Sequence, residues 1–310
     1  MEILINFILL VVGFAMLVKG ADWFVEGAAG IAAKFGIPQL IIGLTIVAMG
    51  TSAPEAAVSI TAATKGTADI TIGNIVGSNI MNVLIILGVA SAITTMAVAE
   101  STVRYEIPFM IAMSVLLLVL GFSGNEITFV EGIILWIAFI AYFVYLFIMA
   151  KKNKEADQEE FKDRPWWQLI LLTVIGLVLI VWGSDVTVNA ATAIARIVGL
   201  SERIIGLTIV ALGTSLPELF TSVMAARKHN ADIAIGNIVG SNLFNILFVV
   251  GTSALVTNIP FAPNFRIDML IAIAAAVLLW WFCFNDRKLK RNEGLVMLAC
   301  YAGYFIYLMV

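Results

Sequence analysis

The strongest constraint on the fold is a segment that the chain contains twice. Residues 41–55 read IIGLTIVAMGTSAPE and residues 204–218 read IIGLTIVALGTSLPE, identical at 13 of 15 positions. A second pair, GNIVGSNIMN at 73–82 and GNIVGSNLFN at 236–245, recurs at the same offset of 163 residues. The chain is therefore an internal duplication whose two halves share one piece of chemistry.

Composition places this duplication in a membrane. Of the 310 residues, 61% are hydrophobic and only 13% are charged. This leaves too little polar surface to coat a soluble globule, so the lipid bilayer is the expected surrounding. Neither a nucleic-acid partner nor an obligatory protein partner is indicated, and a multi-pass protein of the cell membrane is expected.

Ten apolar segments are long enough to cross the bilayer, given that a spanning helix needs about 20 residues. The hydrophilic stretch Lys151–Pro165 joins the fifth predicted span to the sixth. We therefore predict an all-α polytopic protein with a first repeat at 1–150, a linker at 151–165 and a second repeat at 166–310. The predicted spans cover approximately residues 3–27, 39–64, 70–95, 105–123, 127–150, 166–196, 202–227, 233–256, 267–284 and 293–310.

The odd number of spans in each half predicts their relative orientation. After five spans the chain has changed sides, so the second repeat enters the membrane inverted relative to the first. Thirteen Lys and Arg residues fall on the linker side and four on the opposite face. The positive-inside rule then predicts a cytoplasmic linker and N- and C-termini outside.

Spans 2 and 7 each carry Gly-Thr-Ser-x-Pro-Glu near their middle, at Gly50–Glu55 and Gly213–Glu218. Proline removes a backbone donor and clashes with the preceding turn, so both helices are predicted to break there. Each break should free backbone carbonyls, at 48–51 and 211–214, and start a new segment with Ser52 or Ser215 as N-cap and proline in the first turn.

Each break is followed at once by a glutamate, Glu55 or Glu218. A carboxylate near the bilayer centre costs about 2.5–3.5 kcal/mol on insertion scales, so two of them need a source of positive charge. A bound cation supplies it. Carboxylate, hydroxyl and carbonyl oxygens suit Ca²⁺ and, at lower field strength, Na⁺. The lack of His and Cys near the motif argues against zinc or copper.

The second repeated motif extends this predicted site. Ser78 and Asn82, like Ser241 and Asn245, stand four residues apart and hence on one helical face. Proline in a spanning helix is by itself usually a kink, and closely spaced glycines usually serve packing; the recurrence of all these features in both halves favours an ion site. The predicted ligands are Glu55, Glu218, Thr51, Thr214, Ser52, Ser215, Ser78, Ser241, Asn82 and Asn245.

Paired GTSxPE and GNxxGSNxxN segments in five-plus-five spans resemble the two alpha-repeats of the sodium/calcium exchanger family, prokaryotic type, in the calcium/cation antiporter superfamily. The resemblance covers nearly the whole chain apart from the linker. It implies a transporter and not an enzyme, with Ca²⁺ and Na⁺ as transported ions and no cofactor. It implies that both glutamates hold Ca²⁺ and share the Na⁺ sites, that backbone oxygens of Ala48 and Ala211 contribute, and that helices 1 and 6 slide.

Two amides mark a departure from some members of that family. Asn82 and Asn245 stand where those members carry an aspartate linked to potassium dependence or protonation. The site then holds at most two negative charges, enough to balance one Ca²⁺, which makes potassium co-transport less expected.

The expected function is Na⁺/Ca²⁺ antiport by alternating access that extrudes Ca²⁺. The main alternative is a Ca²⁺/H⁺ antiporter using the same glutamates, and the abundance of Ser, Thr and Asn oxygens favours Na⁺. An intramembrane hydrolase, hinted at by GSD at Gly183–Asp185, and a channel are weaker alternatives. Asp22 and Asp185 are equivalent, and we interpret them as bonding a helix end or facing water rather than as gate or proton-relay groups.

Overall fold

The structure is a computed structural model that describes residues 2–152, 164–199 and 211–309. These residues are nearly all helical, with four two-residue strands. The helices are α1 Glu2–Phe35, α2 Gln39–Thr51, α3 Ala53–Thr64, α4 Ile70–Ile93, α5 Thr102–Gly124, α6 Phe129–Lys152, α7 Trp166–Ile197, α8 Ala211–Thr214, α9 Leu216–Arg227, α10 Ala231–Val256, α11 Pro263–Phe284 and α12 Arg291–Met309. The strands are β1 Met96–Ala97, β2 Glu126–Ile127, β3 Ile259–Pro260 and β4 Lys288–Leu289.

Seven of the described helices are long and apolar enough to cross a membrane, and the pair α2 and α3, bent by 50°, makes an eighth if the pair is counted as one broken span. Predicted span 7 is described only from α8 onward, and its residues 202–210 lie outside the described residues. Helix α12 lies at predicted span 10. The polytopic all-α architecture is therefore confirmed, while the count of ten spans stays a prediction.

Two short β-ladders reflect the inverted relation of the halves. Antiparallel β1 and β4 pair Met96 with Leu289, and β2 and β3 pair Glu126 with Pro260. The first ladder joins loops that the predicted topology assigns to the linker side, and the second joins loops assigned to the opposite side. Met96 and Ile259 are 163 residues apart, the repeat offset, so equivalent strands lie in ladders on opposite faces.

Helices α1 and α7 pack backbone to backbone. A Cβ on Gly20 would lie 2.9 Å from the carbonyl oxygen of Gly176, and one on Gly176 would lie 2.5 Å from the amide nitrogen of Phe24. Such close approach is what glycine permits in membrane helix pairs. Only 17% and 33% of the apolar windows of α1 and α7 are buried, against 78% for α4 and 94% for α10. The α1/α7 pair is therefore peripheral, and α4 and α10 form the centre.

Both predicted breaks are present. Ser52 has φ −82° and ψ 6°, and Ser215 has φ −91° and ψ 3°, in the bridge region between helical and extended backbone. Pro54 and Pro217 follow in the first turn of α3 and α9, as predicted.

Ser52 and Ser215 are the N-cap residues of α3 and α9, as predicted, although neither makes a side-chain capping hydrogen bond. One detail of the predicted breaks is wrong. The Ala48 carbonyl, predicted to be freed by the break, accepts the amide N–H of Ser52 at 3.0 Å. The reason is that the helical hydrogen-bond pattern runs on through Ser52, and the chain turns only after it.

An ion-pair network ties α1 to neighbouring segments on the linker side. Lys228, which follows α9, lies with its Nζ 2.6 Å from Asp22 Oδ1 and 3.5 Å from Glu26 Oε2. It also donates to the Asp22 backbone carbonyl at 2.9 Å. Arg164, just before α7, pairs with Glu26, and Lys19 pairs with Asp22 at 3.1 Å. We call this cluster the linker-side latch.

The equivalent residues on the opposite side are not joined. By the 163-residue offset, Lys65 corresponds to Lys228, Asp185 to Asp22 and Asn189 to Glu26. Within the described ranges no ion pair joins Lys65 to Asp185, and both residues are exposed. The two faces of the molecule therefore differ, although their sequences are equivalent.

Candidate cation site

The two glutamates lie at the centre of the molecule, and each reaches toward the other repeat. Glu55 and Glu218 are in the first turns of α3 and α9, and both are 1% exposed. The Ser52 hydroxyl donates to Glu218 Oε1 at 2.8 Å. Thr214, from the second repeat, is the side-chain hydrogen-bond partner of Glu55. The structure thus brings together two carboxylates and the hydroxyls of both breaks.

Four buried asparagines cross-link α4 and α10. The Asn82 side-chain amide donates to Asn242 Oδ1 at 2.9 Å, and the Asn245 amide donates to Asn79 Oδ1 at 3.1 Å. Asn79 and Asn242 donate in turn to each other's backbone carbonyls, at 3.3 and 3.2 Å. These bonds commit the NH₂ groups of Asn82 and Asn245, so their oxygens point away from the cluster. We call this arrangement the asparagine clamp.

Several oxygens near the glutamates are buried without a hydrogen-bond partner among the described residues. In native structures such groups are rare and call for an explanation such as a bound ion. Each of these oxygens can accept a hydrogen bond, but none of the described residues donates one to it. They are Glu55 Oε2, Glu218 Oε2, Asn82 Oδ1, Asn245 Oδ1 and Ser215 Oγ.

These oxygens belong to segments that pack on the opposite repeat. The turn of α4 that begins at Asn82 is π-helical and packs on α9, which carries Glu218. The equivalent turn of α10 begins at Asn245 and packs on α3, which carries Glu55. A wide π turn re-aims the residues that flank it and is frequent at functional sites. The segment that carries each amide therefore lies against the helix that carries the glutamate of the opposite repeat.

A second pair of asparagines holds the glutamate turns. Asn74 donates to Ser59 Oγ at 3.0 Å and to the Glu55 carbonyl at 3.4 Å. Its equivalent Asn237 donates to Ser222 Oγ at 2.9 Å and to the Glu218 carbonyl at 3.5 Å. Asn237 also accepts from the Thr51 hydroxyl at 3.0 Å. These bonds fix the orientation of both broken helices against α4 and α10.

The remaining predicted site residues lie around this centre. Ser241 donates to the Ala48 carbonyl at 3.3 Å, and Ser78, its equivalent, is 4% exposed. Thr51 is fully buried, whereas Thr214 is half-buried. Ala211 is the first residue of α8, and its side chain is outside the described part.

The donor set fits a hard cation and not a transition metal. It consists of carboxylate, amide and hydroxyl oxygens, the ligands that Ca²⁺ takes and that suit Na⁺. In the described ranges, no group of three or more His, Cys, Asp or Glu residues could hold a metal. Two carboxylates surrounded by neutral oxygens balance one divalent ion.

Comparison with known proteins identifies the family. The sequence model described as "Sodium/calcium exchanger protein" matches residues 5–148 and 168–310, which is almost the whole chain. The chain belongs to the sodium/calcium exchanger family. As a member of this family it is a cation/Ca²⁺ antiporter and not an enzyme.

Several relatives match this protein over nearly its full length. It is 33% identical to the sodium/calcium exchanger MaX1 of Methanosarcina acetivorans, covering 99% of both chains. It is also 33% identical to the inner membrane protein YrbG of Escherichia coli, covering 97% of this chain and 94% of that one. A structure of the sodium-calcium exchanger NCX_Mj, soaked with zero Na⁺ and Ca²⁺, superposes with a TM-score of 0.86 at 29% identity and 99% coverage of both chains.

The sequence analysis missed the four asparagines that organise the site: Asn74, Asn79, Asn237 and Asn242. All four belong to the repeated GNIVGSN motif. An asparagine recurring at equivalent positions of two apolar helices is itself a signal, because an amide buried among apolar residues must find hydrogen-bond partners. The partners could not be read from the sequence, since most are in the other repeat or on a neighbouring helix.

Proposed function

We propose that this exchanger-family protein imports Na⁺ and extrudes Ca²⁺ from the cytoplasm by alternating access. The observation that carries the proposal is the set of five unpartnered buried oxygens supplied by both repeats. The proposed ligands are the residues predicted from the sequence, with the backbone oxygens of Ala48 and Ala211. The proposed repeats are 1–150 and 166–310, with a linker at 151–165.

The amide oxygens favour Na⁺ over H⁺ as the driving ion. A proton carried on Glu55 or Glu218 needs only the carboxylate, whereas Asn82 Oδ1 and Asn245 Oδ1 can serve as ligands for a metal ion. A Ca²⁺/H⁺ antiporter using the same glutamates remains the second candidate. The name of MaX1 as a sodium/calcium exchanger is consistent with the first.

Transport assays in reconstituted vesicles separate the two candidates. Vesicles loaded with Na⁺ and diluted into Na⁺-free medium containing Ca²⁺ should take up Ca²⁺, and an outward proton gradient without Na⁺ should not drive uptake. Uptake driven by the proton gradient alone would establish the alternative. If neither gradient drives Ca²⁺ movement in protein shown to be folded, both candidates are wrong.

The membrane orientation is part of the proposal. The excess of Lys and Arg on the linker side supports a cytoplasmic linker with both termini outside. We also propose that the protein is located in the cell membrane. This proposal rests on the same charge pattern and on the proposed function.

The difference between the two faces supports alternating access. The linker-side latch holds α1 against the end of α9, whereas the equivalent Lys65 and Asp185 are apart. We propose that the structure is the state open to the side opposite the linker, and that the inward-open state exchanges these roles, with Lys65 pairing with Asp185. The ion pair between Lys228 and Asp22 supports a gate role for Asp22. The sequence instead favours an interpretation in which Asp22 bonds a helix end or faces water.

Substitution of Lys228 by Met should shift the population toward the state open on the linker side. Lys228 and Asp22 are 28% and 27% exposed, so their ion pair is worth about 1 kcal/mol, a roughly fivefold population change. Hydrogen exchange measures the shift: amides near Ala225 and Ala226, buried at the end of α9, should exchange faster.

The inverted equivalent Lys65→Met is the matched control. Lys65 makes no ion pair in the described part of this state and is proposed to pair with Asp185 only in the inward-open state, so its substitution should slow exchange near Ala225 and not accelerate it. Equal acceleration by both variants, or none by Lys228→Met, would contradict a linker-side latch.

A further inference from the structure

A second polar cluster lies away from the cation site, between the start of α5 and the end of α6. It forms one wall of a pocket of about 420 Å³. Transport of Na⁺ and Ca²⁺ through the central site assigns no role to this pocket. Its lining side chains are Arg104, Tyr105, Glu106, Phe109, Tyr142 and Tyr145, with Ala141 at one side.

The pocket contains a buried carboxylate, one oxygen of which makes no hydrogen bond of good geometry, although the hydroxyls of Ser101 and Thr102 lie close to the carboxylate. Glu106 is 1% exposed, and its Oε1 accepts the hydroxyl hydrogen of Tyr145. Glu106 Oε2 and the Tyr142 hydroxyl have no hydrogen-bond partner among the residues that the structure describes. A buried carboxylate with a free acceptor beside a free hydroxyl is a costly arrangement, and a cation that donates hydrogen bonds to both groups would relieve that cost.

Aromatic rings make up the rest of the wall. Phe109 and Tyr142 are stacked with ring centroids 5.7 Å apart, and Tyr105 and Tyr145 are 6.5 Å apart. Aromatic faces attract organic ammonium ions, most strongly in desolvated sites. A carboxylate within an aromatic, mostly apolar pocket favours an organic ammonium over a metal ion, which would require several oxygen ligands.

The position of the pocket indicates where the ammonium comes from. Tyr145 precedes Lys151, near the end of α6, by six residues, about 9 Å of helix, which places it near the boundary between the lipid headgroups, about 5–8 Å deep, and the acyl chains. Val144 and Ile148, on the same helix, are 52% and 47% exposed on the apolar surface. The opening therefore faces the lipid near the boundary between headgroups and acyl chains.

Arg104 supplies the complementary charge at the rim. Its side chain is 64% exposed, and its Nη1 pairs with Glu100 at 2.9 Å. A guanidinium has five N–H donors, so one ion pair leaves donors for a phosphate. A zwitterionic phospholipid headgroup carries an ammonium group at its end and a phosphate next to it. Glu106 inside the pocket and Arg104 at the rim would therefore match these two charges.

We propose that this pocket binds the headgroup of a phospholipid with a primary ammonium group, of the phosphatidylethanolamine type. Its ammonium donates to Glu106 Oε2 and Tyr142 Oη, and its phosphate contacts Arg104. A choline headgroup has no N–H to donate and leaves both oxygens unpaired. The site therefore selects ethanolamine over choline lipids. This proposal does not rest on the identity of the driving ion.

The test measures thermal unfolding of delipidated protein in detergent as single lipids are added. Dioleoyl-phosphatidylethanolamine should raise the unfolding temperature, and dioleoyl-phosphatidylcholine should do so at about tenfold higher concentration, because hydrogen bonds to a charged group are lost. Soluble glycerophosphoethanolamine tests the alternative source: stabilisation equal to that by the lipid would overturn the assignment to a lipid.

Glu106→Gln should remove the preference for ethanolamine over choline lipid. The matched control is Asp268→Asn, because Asp268 is likewise a carboxylate bonded by a tyrosine hydroxyl, that of Tyr304, at 3.1 Å, but lies on α11. The control should keep the preference. Equal preference in wild type and Glu106→Gln would overturn the proposal.

Tyr142→Phe is a second test variant, to be used in case Glu106→Gln does not fold. It removes only the hydroxyl that has no partner in the described structure, so the unliganded protein should be as stable as wild type or more stable. Native mass spectrometry of this variant should show less retained ethanolamine lipid than wild type. Undiminished retention in both Tyr142→Phe and Arg104→Gln would also overturn the proposal.

Discussion

Glu55→Gln and Glu218→Gln will each abolish Ca²⁺ transport while leaving the protein folded. Each glutamate is 1% exposed and has an oxygen with no partner in the described chain. Removing one charge leaves the site with a single carboxylate, too little to balance a divalent ion. In the absence of ions, each variant should be as stable as wild type or more stable, because a buried charge without a partner is destabilising.

Thermal unfolding with and without Ca²⁺ separates loss of binding from loss of fold. At a Ca²⁺ concentration 100 times the dissociation constant, wild type should gain about 2.7 kcal/mol of stability, and both variants should gain almost none. Glu126→Gln is the control, because Glu126 lies in strand β2, outside the helices that carry the proposed ligands. A normal Ca²⁺ response in either glutamine variant would remove that glutamate from the site.

Asn242→Leu and Asn79→Leu should each weaken Ca²⁺ affinity about 10–100-fold, the usual cost of losing a partner that orients a metal ligand. Leucine at 242 removes the acceptor of the Asn82 amide, and leucine at 79 removes that of the Asn245 amide. Each ligand amide can then rotate and turn its NH₂ group toward the ion. Isothermal titration with Ca²⁺ measures the affinity directly.

The near-symmetry of the asparagine clamp adds a second criterion to this test. The two variants should have effects of similar size, because their hydrogen bonds are equivalent in the two repeats. Asn258→Leu is the control, since Asn258 bonds the side chain of Glu126 at the surface. Unchanged affinity in Asn242→Leu or Asn79→Leu would mean that the clamp is structural only.

The sequence predicted those features that depend on neighbours along the chain. Proline two residues after Ser52 or Ser215 forbids a continuous helix, so the position of each break followed from local geometry. The burial of Glu55 and Glu218 followed from their place in apolar spans. The doubled motif also predicts an inverted arrangement of the two repeats, because an odd number of spans in the first copy reverses the second.

Features that depend on contacts between the repeats could not be predicted in this way. The Ser52 hydroxyl was expected to cap α3 but bonds Glu218, which is 166 residues away. Nothing local distinguishes these two partners. The pairing of Asp22 with Lys228 was missed for the same reason, since it joins α1 to the end of α9. The repeat offset identifies equivalent residues but not the residues that touch.

The hydrogen bonds of the site cross from one repeat to the other, as in Ser52 with Glu218 and Asn82 with Asn242. One repeat alone would therefore supply only part of the proposed cation site. Before its gene was duplicated, such a half could have worked only by meeting a second copy inserted upside down. Fusion of the two copies made that encounter permanent and allowed the halves to diverge, as the unmatched Glu26 and Asn189 already have.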